Sequence, residues 1–382
     1  MKVSEVVPLL VGRYLLVKIR TDSGITGIGE CGAWGHLEAA EGALRKFGEY
    51  LVGENPSAIE HHWQIMQRFS HFNGAAIMGA ISAIDLALWD IKGKALNVPV
   101  HELLGGPTRK QARLYVHVKA ATVLDMVDKC REAKNAGFTA IGHLNPFLDE
   151  DIGNSYFKTH VRKLREAADV VAAVRDAVGE DCDLCIELHR RLSPAEAVAF
   201  AREIEPFRPL FIEDPIRPHS PEAMARVASR IGAAVATGER LSSVQEFQTL
   251  LLQGGASFVR PSIGLCGGLT GALKVARLAE ANDIQIVPHH PLSPVAFAAC
   301  LHLDAAISNF LIQEYPTEPN QPGIVQRGAD MVEELPDIRD GFAVIPSTPG
   351  LGVALREDVG GHPPRVRPVA MRRHIDGSVM EQ

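Results

Sequence analysis

Apolar positions along the first ~110 residues group into strands and then into helices. Segments 3–10, 14–21 and 25–30 alternate as strands do, and Thr21-Asp22-Ser23-Gly24 is the turn between the last two, because Asp and Gly supply turn conformations. Helical periodicity follows over 37–52, 57–70 and 76–96. The last of these is apolar on most sides (Ala76, Ile77, Ile81, Ile84, Leu86, Leu88, Trp89, Ile91), which predicts a buried helix. Leu103-Leu104-Gly105-Gly106-Pro107 closes the unit with a Gly/Pro stop. Strands and helices that are grouped and not alternating predict an α+β capping domain over residues 1–110.

From about residue 112 the pattern alternates. Strands are expected at 112–118, 139–144, 183–187, 209–213, 233–238, 257–260, 284–288 and 309–313. Helices fit between them at 122–136, 160–178, 194–204, 221–230, 244–253, 268–282 and 294–306. That order describes an α/β fold, a modified (β/α)8 barrel of (β/α)7β type, over residues 111–340. The stretch 145–159 is long and polar for a βα loop, and is either a substrate lid or a plain surface excursion. The segment 341–382 has too few helical signals to continue the barrel and is expected to return to the capping domain.

Composition narrows the function. The chain has 382 residues, 46% of them apolar, a formal charge of −7 and a pI near 6.1. With no run of five basic residues, a nucleic-acid partner is not expected. No apolar run reaches eighteen residues, so no membrane span is expected, and Glu5, Pro8 and Arg13 break the N-terminal apolar stretch, unlike a signal peptide. Six scattered cysteines fit a reducing cytoplasm. Cys182 and Cys185 form a lone C-x-x-C without a second ligand pair, so Cys185 is read as a buried strand residue.

The chemistry is concentrated in three glutamates. Glu187, Glu213 and Glu239 follow short apolar runs and lie 26 residues apart. One strand, one helix and two short loops take roughly that length, so consecutive barrel strands deliver all three carboxylates to one end. Each glutamate taken singly could instead cap the next helix, as in Glu213-Asp214-Pro215. Convergent carboxylates cannot all stay ionised without a cation between them, and hard oxygen donors suit Mg²⁺. His189, two residues past Glu187, and His289, ending the seventh strand, belong to the same face and suit proton transfer. Glu314, expected to end the eighth strand, either meets a substrate oxygen or supports a neighbour. Arg190 and Arg191 either pair with a carboxylate or stay solvated. Gly264-Leu265-Cys266-Gly267-Gly268-Leu269 is a weak phosphate signal and reads better as a tight βα turn.

These residues resemble the enolase superfamily in its mandelate racemase branch, and within it the galactonate- and mannonate-type acid-sugar dehydratases. Ala83-Ile84-Asp85-Leu86-Ala87-Leu88-Trp89-Asp90-Ile91-Lys92-Gly93-Lys94, followed by Pro99-Val100 and Leu103-Leu104-Gly105-Gly106, looks like the N-terminal domain signature. Glu187-Leu188-His189-Arg190-Arg191-Leu192-Ser193-Pro194, Phe211-Ile212-Glu213-Asp214-Pro215, Thr237-Gly238-Glu239-Arg240 and His289-His290-Pro291-Leu292-Ser293-Pro294 resemble the ligand and histidine motifs of the barrel. The resemblance implies Mg²⁺ on Glu187, Glu213 and Glu239. It implies His289 as the base that takes the proton beside the substrate carboxylate, and His189 as the acid for the departing hydroxyl. Glu314 would lie near the enolate oxygens. Trp34, His117, Asn145 and Arg191 are read as further candidate substrate contacts, and His143 is either such a contact or a structural histidine. The expected reaction is dehydration of a sugar acid, galactonate-like, to a 2-keto-3-deoxy acid through an enediolate. A symmetric cytoplasmic homo-oligomer is implied as well.

The chain departs from the pattern. Ser262 stands where this branch has an Asp beside the seventh-strand histidine, and a serine cannot supply the charge that raises imidazole basicity. The first ligand is Glu187 where Asp is common. Ala140-Ile141-Gly142-His143-Leu144-Asn145 lacks the paired lysines of the racemase and muconate-cyclising relatives. Epimerisation or lactone cycloisomerisation in the same site is the first alternative. A catalytically impaired metal-binding relative that binds a sugar acid is the second.

Overall fold

The computed structural model describes residues 1–148, 153, 155–189, 191–318, 321 and 323–380. The chain begins with β1 (Val3–Val11), β2 (Tyr14–Thr21) and β3 (Thr26–Cys31), an antiparallel meander in the order β1-β2-β3. Helices α1 (Leu37–Leu51), α2 (Ile59–Arg68) and α3 (Ala75–Leu96) follow, then a short α4 (Val100–Leu103) that the sequence pattern did not predict. The sheet rests on α3, whose side chains are buried almost along its whole length. Gly29 makes the close approach possible, since a Cβ there would lie 2.0 Å from the Ala83 carbonyl oxygen.

The second unit alternates as expected: β4 (Gln111–His117), α5 (Val123–Asn135), β5 (Ala140–Leu144), α6 (His160–Val178), β6 (Asp183–Glu187), α7 (Pro194–Ile204), β7 (Phe211–Glu213) and α8 (Pro221–Ala228). It continues with β8 (Val235–Thr237), α9 (Val244–Leu252), β9 (Phe258–Val259), α10 (Gly268–Glu280), β10 (Gln285–Ile286), α11 (Pro294–Ala306) and β11 (Gln313–Tyr315). Strands β4 to β10 pair in sequence, all parallel, and β11 pairs β4. Ile286 exchanges backbone bonds with Asn309 and Leu311, which carries the circuit from the seventh strand to the eighth. This is the capped (β/α)8-type barrel. Several strands are shorter than the pattern suggests, though bonding runs past their ends: Leu210 N donates to Leu184 O, 2.8 Å, ahead of β7. The eighth strand starts at Gln313, so Glu314 sits within it and not after it.

A hairpin of β12 (Ile338–Arg339) and β13 (Phe342–Val344) adds antiparallel to the start of β4. Beyond it the chain divides its contacts. Leu351 N donates to Asp90 Oδ1 and Arg365 N to Gly12 O on the capping side, whereas Tyr156 N donates to Arg373 O on the barrel side. Within 145–159, residues 149–152 and 154 fall outside the described ones. No described helix is long and apolar enough to cross a membrane. The six cysteines are buried and unpaired, Cys185 among them inside the barrel.

The two units are joined at helix N-termini. Asp85 of α3 accepts from Thr270 N, 3.0 Å, in the first turn of α10, and Ser82 Oγ accepts from Gly267 N, 2.9 Å. Gly267 and Gly268 both have left-handed φ, +96° and +70°. The glycine cluster is therefore a tight βα turn, and the acceptor its helix meets is the chain's own Asp85 carboxyl group.

Candidate active site

Strand alternation builds the site. Tyr115, Cys185, Phe211, Val287 and Ile312 fill the inside of the barrel as a buried apolar layer. Two residues further along the same strands stand His117, Glu187, Glu213, His289 and Glu314, which period-two geometry sends to the same inward side one layer higher. Glu187 and Glu213 are direct partners in the β6–β7 ladder. On β8 the inward place after Ala236 is taken by Gly238, and Glu239 comes next. Gly238 has φ +128°, and a Cβ on it would lie 2.8 Å from the Phe247 ring, so only glycine fits the bend that brings Glu239 in. On β5 the inward place is Gly142, packed on the Tyr115 ring, and His143 follows at φ +47°.

The three glutamates converge. Each offers a carboxylate oxygen within 4.8 Å of the other two, and all three are buried. Burial, with Glu187, Glu314 and Glu239 close by, holds the Glu213 carboxyl well above its usual range despite Arg260 beside it. Among the described residues, Glu213 Oε2 has no hydrogen-bond partner. Buried carboxylate oxygens packed this closely fit a hard divalent cation held between them. Mg²⁺ suits this donor set.

One cation already lies inside, and the sequence reading missed it. Arg260, just past β9, is fully buried. Its Nε is 2.6 Å from Glu213 Oε1, its Nη2 is 2.6 Å from Glu314 Oε2, and its Nη1 donates to the Tyr115 hydroxyl at 2.7 Å. Burial works against its charge, but Glu213, Tyr115 and Glu314 hold it fully protonated. The signal was available, since Phe258 packs on the barrel's inner layer and Arg260 is two residues on.

Glu314 has both oxygens engaged. Oε1 meets His117 Nε2 at 2.7 Å, and Oε2 accepts from Arg260 and from His290 N at 2.7 Å. Burial would raise its pKa, but Arg260, then His289 and His117, hold it well below the usual carboxylate range. Of the two roles open to Glu314, support of neighbours is the one these contacts describe.

The histidines form a row. The His117 and His143 rings stack with centroids 4.6 Å apart, and His143 meets His189 edge-on at 4.5 Å. Burial lowers the His117 pKa to about 4 and holds His143 well below its usual value, so both are neutral near pH 7. His189 lies outside β6 at φ +47°, and its backbone N–H donates to Glu187 Oε1. A left-handed turn, and not strand alternation, is what keeps it on this face. Across the mouth, His289 Nε2 is 3.3 Å from Glu239 Oε2. His289 also has its pKa lowered, first by burial.

The remaining expected contacts are spread out. Asn145 is buried beside His143 and His189, and its Oδ1 accepts from Phe147 N at 3.0 Å. Trp34 is half exposed on the cap, between the guanidinium groups of Arg13 and Arg367 at 4.5 and 4.8 Å. Arg191 lines a groove of about 510 Å³ between the loops after β6 and β7, together with Lys163, Arg217 and His374. Arg190 lies outside the described residues.

Comparison with known proteins follows the same lines. Residues 9–105 match the mandelate racemase/muconate lactonizing enzyme N-terminal domain, and residues 125–359 match the enolase C-terminal domain-like family. The chain is 36% identical over 378 residues to D-galactonate dehydratase of Verminephrobacter eiseniae, covering 97% of this chain and 96% of that one. It is 37% identical over 381 residues to D-galactonate dehydratase of Xanthomonas oryzae pv. oryzae, with the same coverage. Among solved structures it is similar to an enolase from Agrobacterium radiobacter with Na and L-malate bound (TM-score 0.90, 29% identity, 100% of both chains). It is also similar to a mandelate racemase/muconate lactonizing enzyme from Sulfitobacter sp. (TM-score 0.88, 29% identity, 98% of both chains).

Proposed function

Since the chain belongs to the mandelate racemase/muconate lactonizing enzyme family of the enolase superfamily, we propose that it is a Mg²⁺-dependent dehydratase of a galactonate-like sugar acid. The observation that carries this reading is the convergence of Glu187, Glu213 and Glu239 between His189 and His289. Those three carboxylates would hold the metal. When bound, Mg²⁺ would supply positive charge next to the substrate carboxylate, where negative charge develops as the neighbouring proton leaves.

The chain's own residues do the rest. His289, neutral because it is buried, accepts the proton beside the carboxylate and leaves an enediolate. His189, on the other side of the carboxylate cluster, gives a proton to the departing hydroxyl. The enol that remains becomes a 2-keto-3-deoxy acid. Glu314 fixes the His117 ring toward the substrate side and, through His290 N, the backbone next to His289. His143 and Asn145 flank His189, while Trp34 and Arg191 stand further out as candidate contacts to the substrate's distal hydroxyls.

Ser262 favours a second reading, a relative that binds a sugar acid but turns it over poorly. The same proposal carries a symmetric cytoplasmic homo-oligomer. Exposed Phe157, Val161, Ile375 and Val379 around the Tyr156–Ile375 backbone contact support it, and sedimentation would size it. Purified protein with Mg²⁺, screened against an acid-sugar library for 2-keto acid by semicarbazide absorbance, tests the function. Keto acid from D-galactonate or a close stereoisomer is the expected result. An epimer or lactone without keto acid points to the other enolate chemistries, and α-hydrogen exchange in D₂O without product points to the impaired relative.

A further inference from the structure

His289 stands on a segment with no carboxylate of its own to orient the ring, and the capping domain reaches that segment. We propose that Glu30, at the end of β3 in the capping domain, is a positioning residue for His289, acting through the N-terminus of α11. The inference rests on His289 being the base.

Glu30 is fully buried. Both its oxygens lie near Ser293 N, at 3.1 and 3.2 Å, and Oε2 also accepts from Ser293 Oγ at 2.6 Å and Ala296 N at 3.2 Å. Ser293 is the N-cap of α11, so a carboxylate from another unit sits on the positive end of that helix. Helix α11 is buried along its whole length and has no freedom to drift. One residue after His289, His290 N donates to Glu314 Oε2 at 2.7 Å. The segment from His289 to Ser293 is thus held at both ends by buried carboxylates, one from the barrel and one from the cap.

The contact extends to the facing loop. Gly32 N donates to Gly264 O at 2.6 Å, two residues past Ser262. A Cβ on Gly264 would come within 2.6 Å of Leu292 Cδ1 and 2.8 Å of Gly32 N. The end of β3, the loop carrying Ser262 and the loop carrying His289 therefore pack as one body. Burial pushes the Glu30 pKa up to about 7, the Ser293 and Ala296 bonds and the more distant Arg13 only partly opposing it. Tyr14, Cys31 and Cys300 also lie in its field. A glutamine would fill the same space without that desolvation cost, so the carboxylate is poorly explained by packing alone.

The test compares the full-length Mg²⁺-loaded parent with Glu30→Gln and Ser293→Ala, and one arm needs no substrate. Hydrogen–deuterium exchange of the amides over 289–296 should speed up by about tenfold or more in both variants, with helices α1 and α5 unchanged. The Mg²⁺ dissociation constant should stay within about twofold. With D-galactonate, α-proton exchange should lose about tenfold or more in kcat with KM nearly unchanged, because a small misplacement of the base acts on the reacting step. Unchanged amide exchange over 289–296, or an increase spread evenly over the capping domain, would overturn the proposal. So would a loss in KM alone. If the parent fails to act on any sugar acid, the proposed function fails, and the amide-exchange arm still decides whether Glu30 holds the loop. If Glu30→Gln does not fold, Ser293→Ala, which removes the 2.6 Å hydroxyl bond to Glu30 and also the cap bond from Val295 N, is read at residues 289–292, ahead of the cap.

Discussion

Ser262 and His289 meet through their backbones and not through their side chains. The two residues form an isolated parallel bridge, with His289 N donating to Pro261 O at 3.1 Å. Among the described residues, the His289 Nδ1 is buried without a hydrogen-bond partner. A carboxylate at position 262 would start from a backbone already paired with the histidine. Ser262→Asp is therefore expected to raise α-proton exchange and turnover by about tenfold, the scale on which ligand-orienting partners act. Stopped-flow or NMR exchange rates check this. A lower rate would mean that the serine belongs to a different mechanism.

Arg260 compensates two carboxylates at once, at 2.6 Å from each. Removing its charge leaves Glu213 and Glu314 buried and uncompensated, which costs about 3–5 kcal/mol in such settings. Arg260→Gln should therefore lower the melting temperature most in metal-free protein, and added Mg²⁺ should recover part of the loss. Melting curves with chelator and with Mg²⁺ measure the difference. Equal losses under both conditions would show that Arg260 and the metal do not share Glu213.

The two faces of the site separate by isotope. His289→Asn should abolish α-proton exchange, by about 10²–10⁴-fold, while His189→Asn should retain exchange and lose keto-acid formation. Exchange that survives in His289→Asn would assign the base to another group. Glu213→Gln should weaken Mg²⁺ by about 100-fold or more, since even outer-shell partners are worth 10–100-fold. Calorimetry that finds an unchanged affinity would remove Glu213 from the ligand set.

Much of this was legible in the sequence because barrel strands obey a period of two and a repeat length near 26 residues. Those two regularities place Glu187, Glu213, His289 and Glu314 without coordinates. The repeat length names Glu239 as well, but the left-handed φ of Gly238, His143 and His189, which sets how Glu239, His143 and His189 reach the site, is encoded by no apolar pattern. Contacts between distant segments were also hidden. No pattern in the sequence pairs Glu30 or Asp85 with the barrel, and only the fold puts each on the N-terminus of a barrel helix. The β12–β13 hairpin has only two and three residues in its strands, too few for its pairing with β4 to leave a periodic trace.

Asp85 gives the clearest pH signature. It is fully buried, and that burial raises its pKa to about 7 from the ordinary 3.8, with its bonds to Thr270 only partly opposing the shift. Among the described residues its Oδ1 has no partner. The native state therefore keeps a proton on Asp85 over a range where the unfolded chain has released it. Its stabilising contribution is complete below about pH 4 and is lost as pH rises through about 7. Asp85→Asn keeps an acceptor for Thr270 N but cannot titrate. The melting temperature of the parent minus that of Asp85→Asn should fall steadily from pH 4 to pH 7 and level off above it. A difference that stays constant across that window would show that Asp85 is ionised in the folded protein and that Thr270 N and the α10 N-terminus offset its burial fully.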